Sequence, residues 1–287
     1  MDTNEKSIAM HREKKGKLGT MLLVPIETRD DLSLAYTPGV AAPCMEIAEN
    51  PEEVWNLTIK SHTVAVITDG SAVLGLGNIG AEASLPVMEG KCALFKRFAG
   101  LDAFPIAINT QNVDEIVETV VRISPIFGGI NLEDISAPRC FEVEERLNAL
   151  LDIPVMHDDQ HGTATVIVAG LINALKVVGK KTEDIKVVFS GAGAAGLASA
   201  KLLVRLGVKD IVMVDSKGAI SSHRTDLNDF KKSMVAINVR DVQGTLQEVV
   251  NGADVFIGLS APNVLSVDMV KTMAESAIVF AMANPTP

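Results

Sequence analysis

Six side chains and two glycine motifs in this chain have types and spacings that could do chemistry. Two acidic pairs, Glu133-Asp134 in GGINLEDISAP and Asp158-Asp159 in IPVMHDDQHGTA, are bracketed by apolar residues. A carboxylate set among Ile, Val and Met needs a partner to offset its desolvation. Several such carboxylates converging suggest a hard cation, and an all-oxygen donor set suits Mg²⁺ or Mn²⁺. Helix-capping and surface acids would explain the same pattern. His157 and His161 flank the second pair at i, i+4, which on a helix would resemble a zinc site with a carboxylate base. The segment instead reads as a strand end entering a loop, with no third histidine nearby. The histidines are therefore expected to hydrogen-bond and orient the acids.

Lys91 lies in PVMEGKCALFKRF between Gly90 and the apolar run Cys92–Leu94. Desolvation lowers a lysine pKa and makes the amine a usable general base. Tyr36 is the only tyrosine, in LAYTPGVAAP, where Pro38 and Gly39 predict a bend that holds the ring and could present its phenol as a general acid. Taken singly, each reads better as structural than as catalytic.

The pattern GxGxxG occurs at Gly75/Gly77/Gly80 and at Gly191/Gly193/Gly196, so context must decide. The second copy follows the strand KVVFS, opens the helix AAGLASAKLLVRL and leads to IVMV, which ends in Asp215. Gly191 permits the tight turn, Gly193 lets backbone approach a pyrophosphate, and Gly196 allows close helix–strand packing; Ala192, Ala194 and Ala195 complete the loop. Asp215 follows Gly196 by 19 residues, where a ribose-binding acid belongs. A carboxylate there favours NAD over NADP, although Lys217 and Arg224 could neutralise a 2′-phosphate. The first copy has Pro86 inside its would-be helix and no clean βαβ unit around it, and is read as a glycine-rich bend.

The elements that must position these residues are legible in outline. Thr63–Thr68 (TVAVIT) predicts a strand, and a helix is expected after Asn112. The spacing from Gly162 to Val178 predicts a long, mostly buried helix. Beyond it, strand Lys186–Ser190, helix Ala194–Leu206, strand Asp210–Val214 and later strands Asp254–Leu259 and Ile278–Ala281 imply a parallel, doubly wound sheet. The boundary is set near Gln160, giving domains 1–160 and 161–287.

Composition narrows the class. With 287 residues, 47% hydrophobic and 4% aromatic, the chain suits two α/β domains with strands buried on both faces. A net charge of −10 without a basic stripe argues against nucleic-acid and anionic-membrane partners. Three cysteines make no disulfide framework and point to a reducing, cytoplasmic setting. The charged first residues lack a signal-peptide core, and the longest uncharged stretch, Gly162–Leu175, is shorter than the ~20 residues of a spanning helix.

Together, AYTPGVA (35–41), TDGSAVLGLGNIG (68–80), PVMEGKCALFK (86–96), NLEDI (131–135), PVMHDDQHGTA (154–164), GAGAAG (191–196), VDSKG (214–218) and ANPTP (283–287) resemble the malic enzyme family, closest to its smaller bacterial branch. The resemblance implies an N-terminal malic-enzyme-type α/β domain followed by a Rossmann-like sheet. It implies oxidative decarboxylation of malate to pyruvate with NAD(P) and Mg²⁺ or Mn²⁺, in a homodimer. Residue by residue, it makes Tyr36 the general acid and Lys91 the general base. Glu133, Asp134 and Asp159 become metal ligands, Asp158 a partner tuning Lys91, and Asn284 a neighbour of the substrate carboxylate and nicotinamide. Family members continue for roughly a hundred residues past NPTP, so the second domain is expected to be incomplete at its C-terminus. A malolactic conversion to lactate, and a silent dinucleotide-binding chain, stay open as alternatives.

Overall fold

A computed structural model of the chain describes residues 2–73 and 76–283. It falls into two compact units, each with its own sheet. The first takes in the chain up to Val73, Asn78–Ile135 and Glu142–Met156; the second takes in Ser136–Phe141 and the chain from His157 onward.

The first unit begins with four short helices, α1 (Thr3–Lys14), α2 (Arg29–Ala35), α3 (Ala41–Glu49) and α4 (Val54–Leu57), none of which contains a buried residue. Its sheet has the order β2-β1-β3-β4, built from β1 (Thr63–Thr68), β2 (Asp102–Ala107), β3 (Gly129–Leu132) and β4 (Val155–His157). β1 runs parallel to β2 and β3, with Val66 opposite Pro105 and Asn131. Ala65, Val66 and Ile67 are fully buried in succession, as expected of a central parallel strand covered on both faces. α5 (Ala81–Leu94) connects β1 to β2, and α6 (Val113–Ile123) follows β2. The helix expected after Asn112 is α6, with Asn112 Oδ1 accepting from the Asp114 and Glu115 amides. α7 (Arg139–Leu150) precedes β4.

In the second unit, α8 (Asp158–Val178) leads to β5 (Lys186–Ser190), α9 (Ala194–Leu206), β6 (Asp210–Asp215), β7 (Gly218–Ala219) and α10 (Asp229–Val235). α11 (Leu246–Val250), β8 (Val255–Gly258), α12 (Val267–Thr272) and β9 (Ile278–Ala281) follow. The sheet order is β7-β6-β5-β8-β9, parallel except for the β6–β7 pair. Connections leave β5 toward β6 on one side and β8 on the other, so the carboxyl end of β5 is a topological switch point, where such sheets bind ligands. Ile167, Leu171 and Leu175 of α8 pack with Val187, Phe189, Leu203 and Val255 in its core.

The structure corrects two expectations. The first glycine motif does lie within a parallel β1-α5-β2 unit, and Pro86 sits inside α5. Burial of Ala81, Ser84, Met88 and Cys92 outweighs the loss of one proline amide. Gly75 of that motif lies outside the described residues. The segment HDDQHG is not a loop: α8 begins at Asp158, directly after β4, with acidic residues in its first turn where they favour the helix dipole. The helix therefore reaches 21 residues and, by length and composition alone, is long and apolar enough to cross a membrane. One of its faces is nonetheless committed to the core of the second unit.

Candidate active site

The three glycines of the loop after β5 stand in different surroundings. Gly191 has φ +126°, a value L residues rarely adopt, and a Cβ there would lie 3.0 Å from the Leu259 carbonyl carbon. A Cβ at Gly196 would lie 2.2 Å from the Gly191 carbonyl oxygen, so α9 can approach the loop only without a side chain. Gly193, by contrast, caps α9 with no atom within 4 Å of its absent Cβ and no side-chain cap on the helix amides. Open space above uncapped helix amides is what a pyrophosphate needs. Ala192 lies in the turn, and Ala194 and Ala195 form the first positions of α9. Ser190 Oγ and Ser260 Oγ, 2.9 Å apart, tie the ends of β5 and β8 together beside this loop.

Asp215 ends β6 as expected, but its carboxylate is already engaged. Oδ1 accepts from Arg224 Nη1 at 2.7 Å and the Lys217 amide at 2.9 Å, and Oδ2 accepts from Arg224 Nη2 at 3.2 Å and Lys231 Nζ at 2.5 Å. Desolvation pushes the acid's pKa up, and the bonds from Arg224, Lys231 and the Lys217 amide outweigh it, leaving it at about 2. Asp226 bonds Arg224 Nε and Nη2 as well as Lys217 Nζ, so three cations and two carboxylates share this corner. Lys231 was not foreseen from sequence; its position on α10, 16 residues from Asp215, carries no local signal.

In the first unit, α5 and β3 bring Lys91 and Glu133 together. Lys91 Nζ stands 3.2 Å from Glu133 Oε1, with the side chains 23% and 7% exposed. The Glu133 amide extends the ladder to Ile67 O (2.8 Å) and fixes the residue at the end of β3. Asp134 then turns the chain with φ +54°, accepts from the Ala72 amide through its carbonyl (2.9 Å), and is buried. Asn131, two residues before Glu133 and so on the same face of the strand, donates from Nδ2 to Glu133 Oε2 at 2.8 Å. Sequence reasoning passed over Asn131; a strand-averse amide inside GGINL was the available signal.

Tyr36 caps α2 and is 66% exposed. The bend that follows is as tight as Pro38 and Gly39 suggested: Val40 N donates to Tyr36 O at 2.7 Å, and a Cβ at Gly39 would lie 2.6 Å from Ser33 O. In the second unit Asp158 and Asp159 occupy the first turn of α8. His157 is wholly buried, with Nε2 3.4 Å from Asp159 Oδ2, in keeping with an orienting role. Asp158 Oδ1 leans over the helix, 2.3 Å from where a Gly162 Cβ would be. Asn284 lies outside the described residues.

Comparison with known proteins decides the family. The profile for the malic enzyme N-terminal domain matches residues 15–148, and that for the malic enzyme NAD-binding domain matches residues 160–287. The chain belongs to the malic enzyme family. The NAD-dependent malic enzyme of Geobacillus stearothermophilus is 56% identical over the whole chain, and the chain spans 60% of that relative's length. The bifunctional malic/malolactic enzyme of Bacillus subtilis is also 56% identical over the whole chain, which covers 70% of it. The NADP-dependent malic enzyme of Escherichia coli is 49% identical over 95% of the chain, which covers 36% of it. Among solved structures, the NAD-dependent malic enzyme of Thermotoga maritima superposes with a TM-score of 0.94 at 48% identity, covering all of this chain and 76% of that one. Membership accounts for the presence of a Lys91–Glu133 contact and a dinucleotide-type glycine loop in one chain.

Proposed function

We propose that this malic enzyme family member oxidises malate with NAD(P) and decarboxylates the product to pyruvate. The observation that carries the reading is the contact of the half-buried Lys91 with the buried Glu133 beside Asp134, in a chain that matches both malic enzyme domains. Lys91 would accept the C2 hydroxyl proton and Tyr36 would return a proton to C3 after carbon dioxide is lost; NAD(P), when bound, would supply the hydride acceptor for the oxidation of malate to oxaloacetate. Asp158 tunes Lys91, and Asn284 binds the substrate near the nicotinamide. Glu133, Asp134 and Asp159 form an all-oxygen set suited to Mg²⁺ or Mn²⁺, and two of them, Glu133 and Asp134, are buried carboxylates of the kind that bind a cation. When bound, the ion supplies Lewis-acid polarisation of the C2 oxygen.

The loop Gly191–Gly196 holds the pyrophosphate. We assign NAD as cofactor with NADP accepted, because Arg224 and Lys231 pair with Asp215 and a third cation, Lys217, pairs with the neighbouring Asp226. The domains are taken as 1–160 and 161–287. The protein is assigned as a cytoplasmic homodimer; the subunit contact, though not the location, is supported by an apolar stretch, Met21, Leu22, Leu23 and Val24, whose members are all exposed.

The test is to incubate the protein with malate, NAD or NADP and Mn²⁺, follow reduced cofactor and identify the product. Pyruvate with equimolar reduced cofactor is expected. Lactate without it supports the malolactic reading, which the Bacillus subtilis relative's bifunctional name favours as second choice. Dinucleotide binding without turnover removes both.

A further inference from the structure

We infer that Asn131 is a positioning residue for Glu133, holding its carboxylate in the orientation that takes the divalent cation; the inference rests on the metal reading above. Asn131 is 2% exposed, lies in β3 between the buried Ile130 and Leu132, and pairs in register with Val66, which packs on Met88 and Cys92. A strand position of this kind favours a β-branched apolar residue, and an amide there incurs desolvation. The amide is not even fully satisfied: Oδ1 is buried with no hydrogen-bond partner among the described residues. What the residue gains is one bond, Nδ2 to Glu133 Oε2 at 2.8 Å, while Glu133 Oε1 faces Lys91 Nζ at 3.2 Å. The amide orientation follows from this, since the flipped group would set two oxygens 2.8 Å apart.

The two contacts divide the carboxylate. A neutral donor fixes one oxygen and the ammonium faces the other, so Lys91 cannot draw the group round to bridge both. Aspartate at 131 would add a further negative charge beside the buried Glu133 and Asp134, and an aliphatic residue would leave Oε2 without this donor. Asparagine supplies a donor without adding charge. Residues that orient ligands in this way typically change metal affinity about 10–100-fold when removed.

The experiment compares the full chain with Asn131→Leu, a near-isosteric change that also removes the orphaned acceptor. Free Mn²⁺ is titrated by electron paramagnetic resonance, with thermal stability and NAD binding measured in parallel. The expected result is Mn²⁺ affinity lowered about 10-fold or more, with the melting temperature unchanged or raised and NAD affinity unchanged. Should the leucine variant not fold, Asn131→Thr, whose hydroxyl is too short to reach Oε2, is expected to show the same loss. Mn²⁺ binding within about 3-fold of the parent in a folded variant would overturn the positioning role while leaving the metal reading intact. A Glu133→Gln control that loses Mn²⁺ marks that case. Failure of the parent itself to bind Mn²⁺ would overturn both.

Discussion

Alanine in place of Gly193 and of Gly196 separates two roles that a glycine motif leaves merged. At Gly196 the new Cβ meets the Gly191 carbonyl oxygen at 2.2 Å, a backbone atom that cannot rotate away. Overpacking costs about 1–3 kcal/mol, and contact with backbone places this case at the upper end. Alanine returns about 1 kcal/mol through helix propensity, leaving a net loss near 2 kcal/mol. At about 2–4 °C per kcal/mol, Gly196→Ala should melt about 4–8 °C lower without cofactor. At Gly193 the Cβ meets nothing within 4 Å and φ is −100°, so alanine fits the folded chain. Its loss at the helix cap, about 0.5 kcal/mol, is offset by a similar gain from a less flexible unfolded chain. Gly193→Ala should therefore melt within about 2 °C of the parent, yet bind NAD at least about 10-fold more weakly, because the methyl occupies the space left for phosphate. Calorimetric melting and fluorescence titration with NAD measure the two effects separately. Equal destabilisation by both substitutions, or undiminished NAD binding by Gly193→Ala, would refute the assignment of the open space to the cofactor.

Lys91→Ala should lower kcat by about 10²–10⁴-fold while Mn²⁺ and NAD still bind; near-full turnover would remove Lys91 as the base. Gly162→Ala should displace Asp158, whose Oδ1 would lie 2.3 Å from the added carbon, and lower kcat more than it lowers the melting temperature. The Asp215 cluster sets a pH dependence: its folded pKa of about 2 lies below the ordinary 3.8, so its contribution is present above pH 4 and is lost as pH falls toward 2. That contribution is about 2 kcal/mol, and Asp215→Asn should flatten the acid limb of the stability curve, as read by urea unfolding at pH 2–5. Lys231→Met removes one cation from that corner, and the ratio of kcat/KM for NADP to that for NAD should fall severalfold.

The generic half of the site was the readable half. Strand, turn, helix and strand are consecutive between Lys186 and Asp215, so the expectations for Gly191, Gly193 and Gly196 follow from local order; Gly191 and Gly196 have steric reasons in the structure, while Gly193 faces open space. Pairing of Lys91 with Glu133 joins residues 42 apart through a helix and a strand of one sheet, and no local spacing encodes it. The start of α8 was missed for a different reason. His157 caps it without a side-chain bond, and the acids that favour a first turn were read as loop residues because the strand before them ends without a break. Pro86 misled in the same manner: a local penalty was weighed without the four buried side chains that anchor α5.

Asp215 shows that a motif gives the position of an acid and not the state of its carboxylate. The motif assigns the acid to a ribose hydroxyl, which requires a vacant lone pair. An ionised carboxylate offers about four acceptor sites, and here Arg224 fills two, the Lys217 amide one and Lys231 one. A ribose hydroxyl must therefore displace a donor, and Lys231 is the easiest to move: it is 29% exposed against 14% for Arg224, with a single ammonium in place of a two-pronged guanidinium. On the proposed cofactor reading, NAD binding entails releasing Lys231 from Asp215, whereas a 2′-phosphate can meet the ammonium where it stands. On that reading selectivity depends on the strength of the Lys231–Asp215 contact and not on the presence of the acid alone, so the motif by itself overstates the case for strict NAD use.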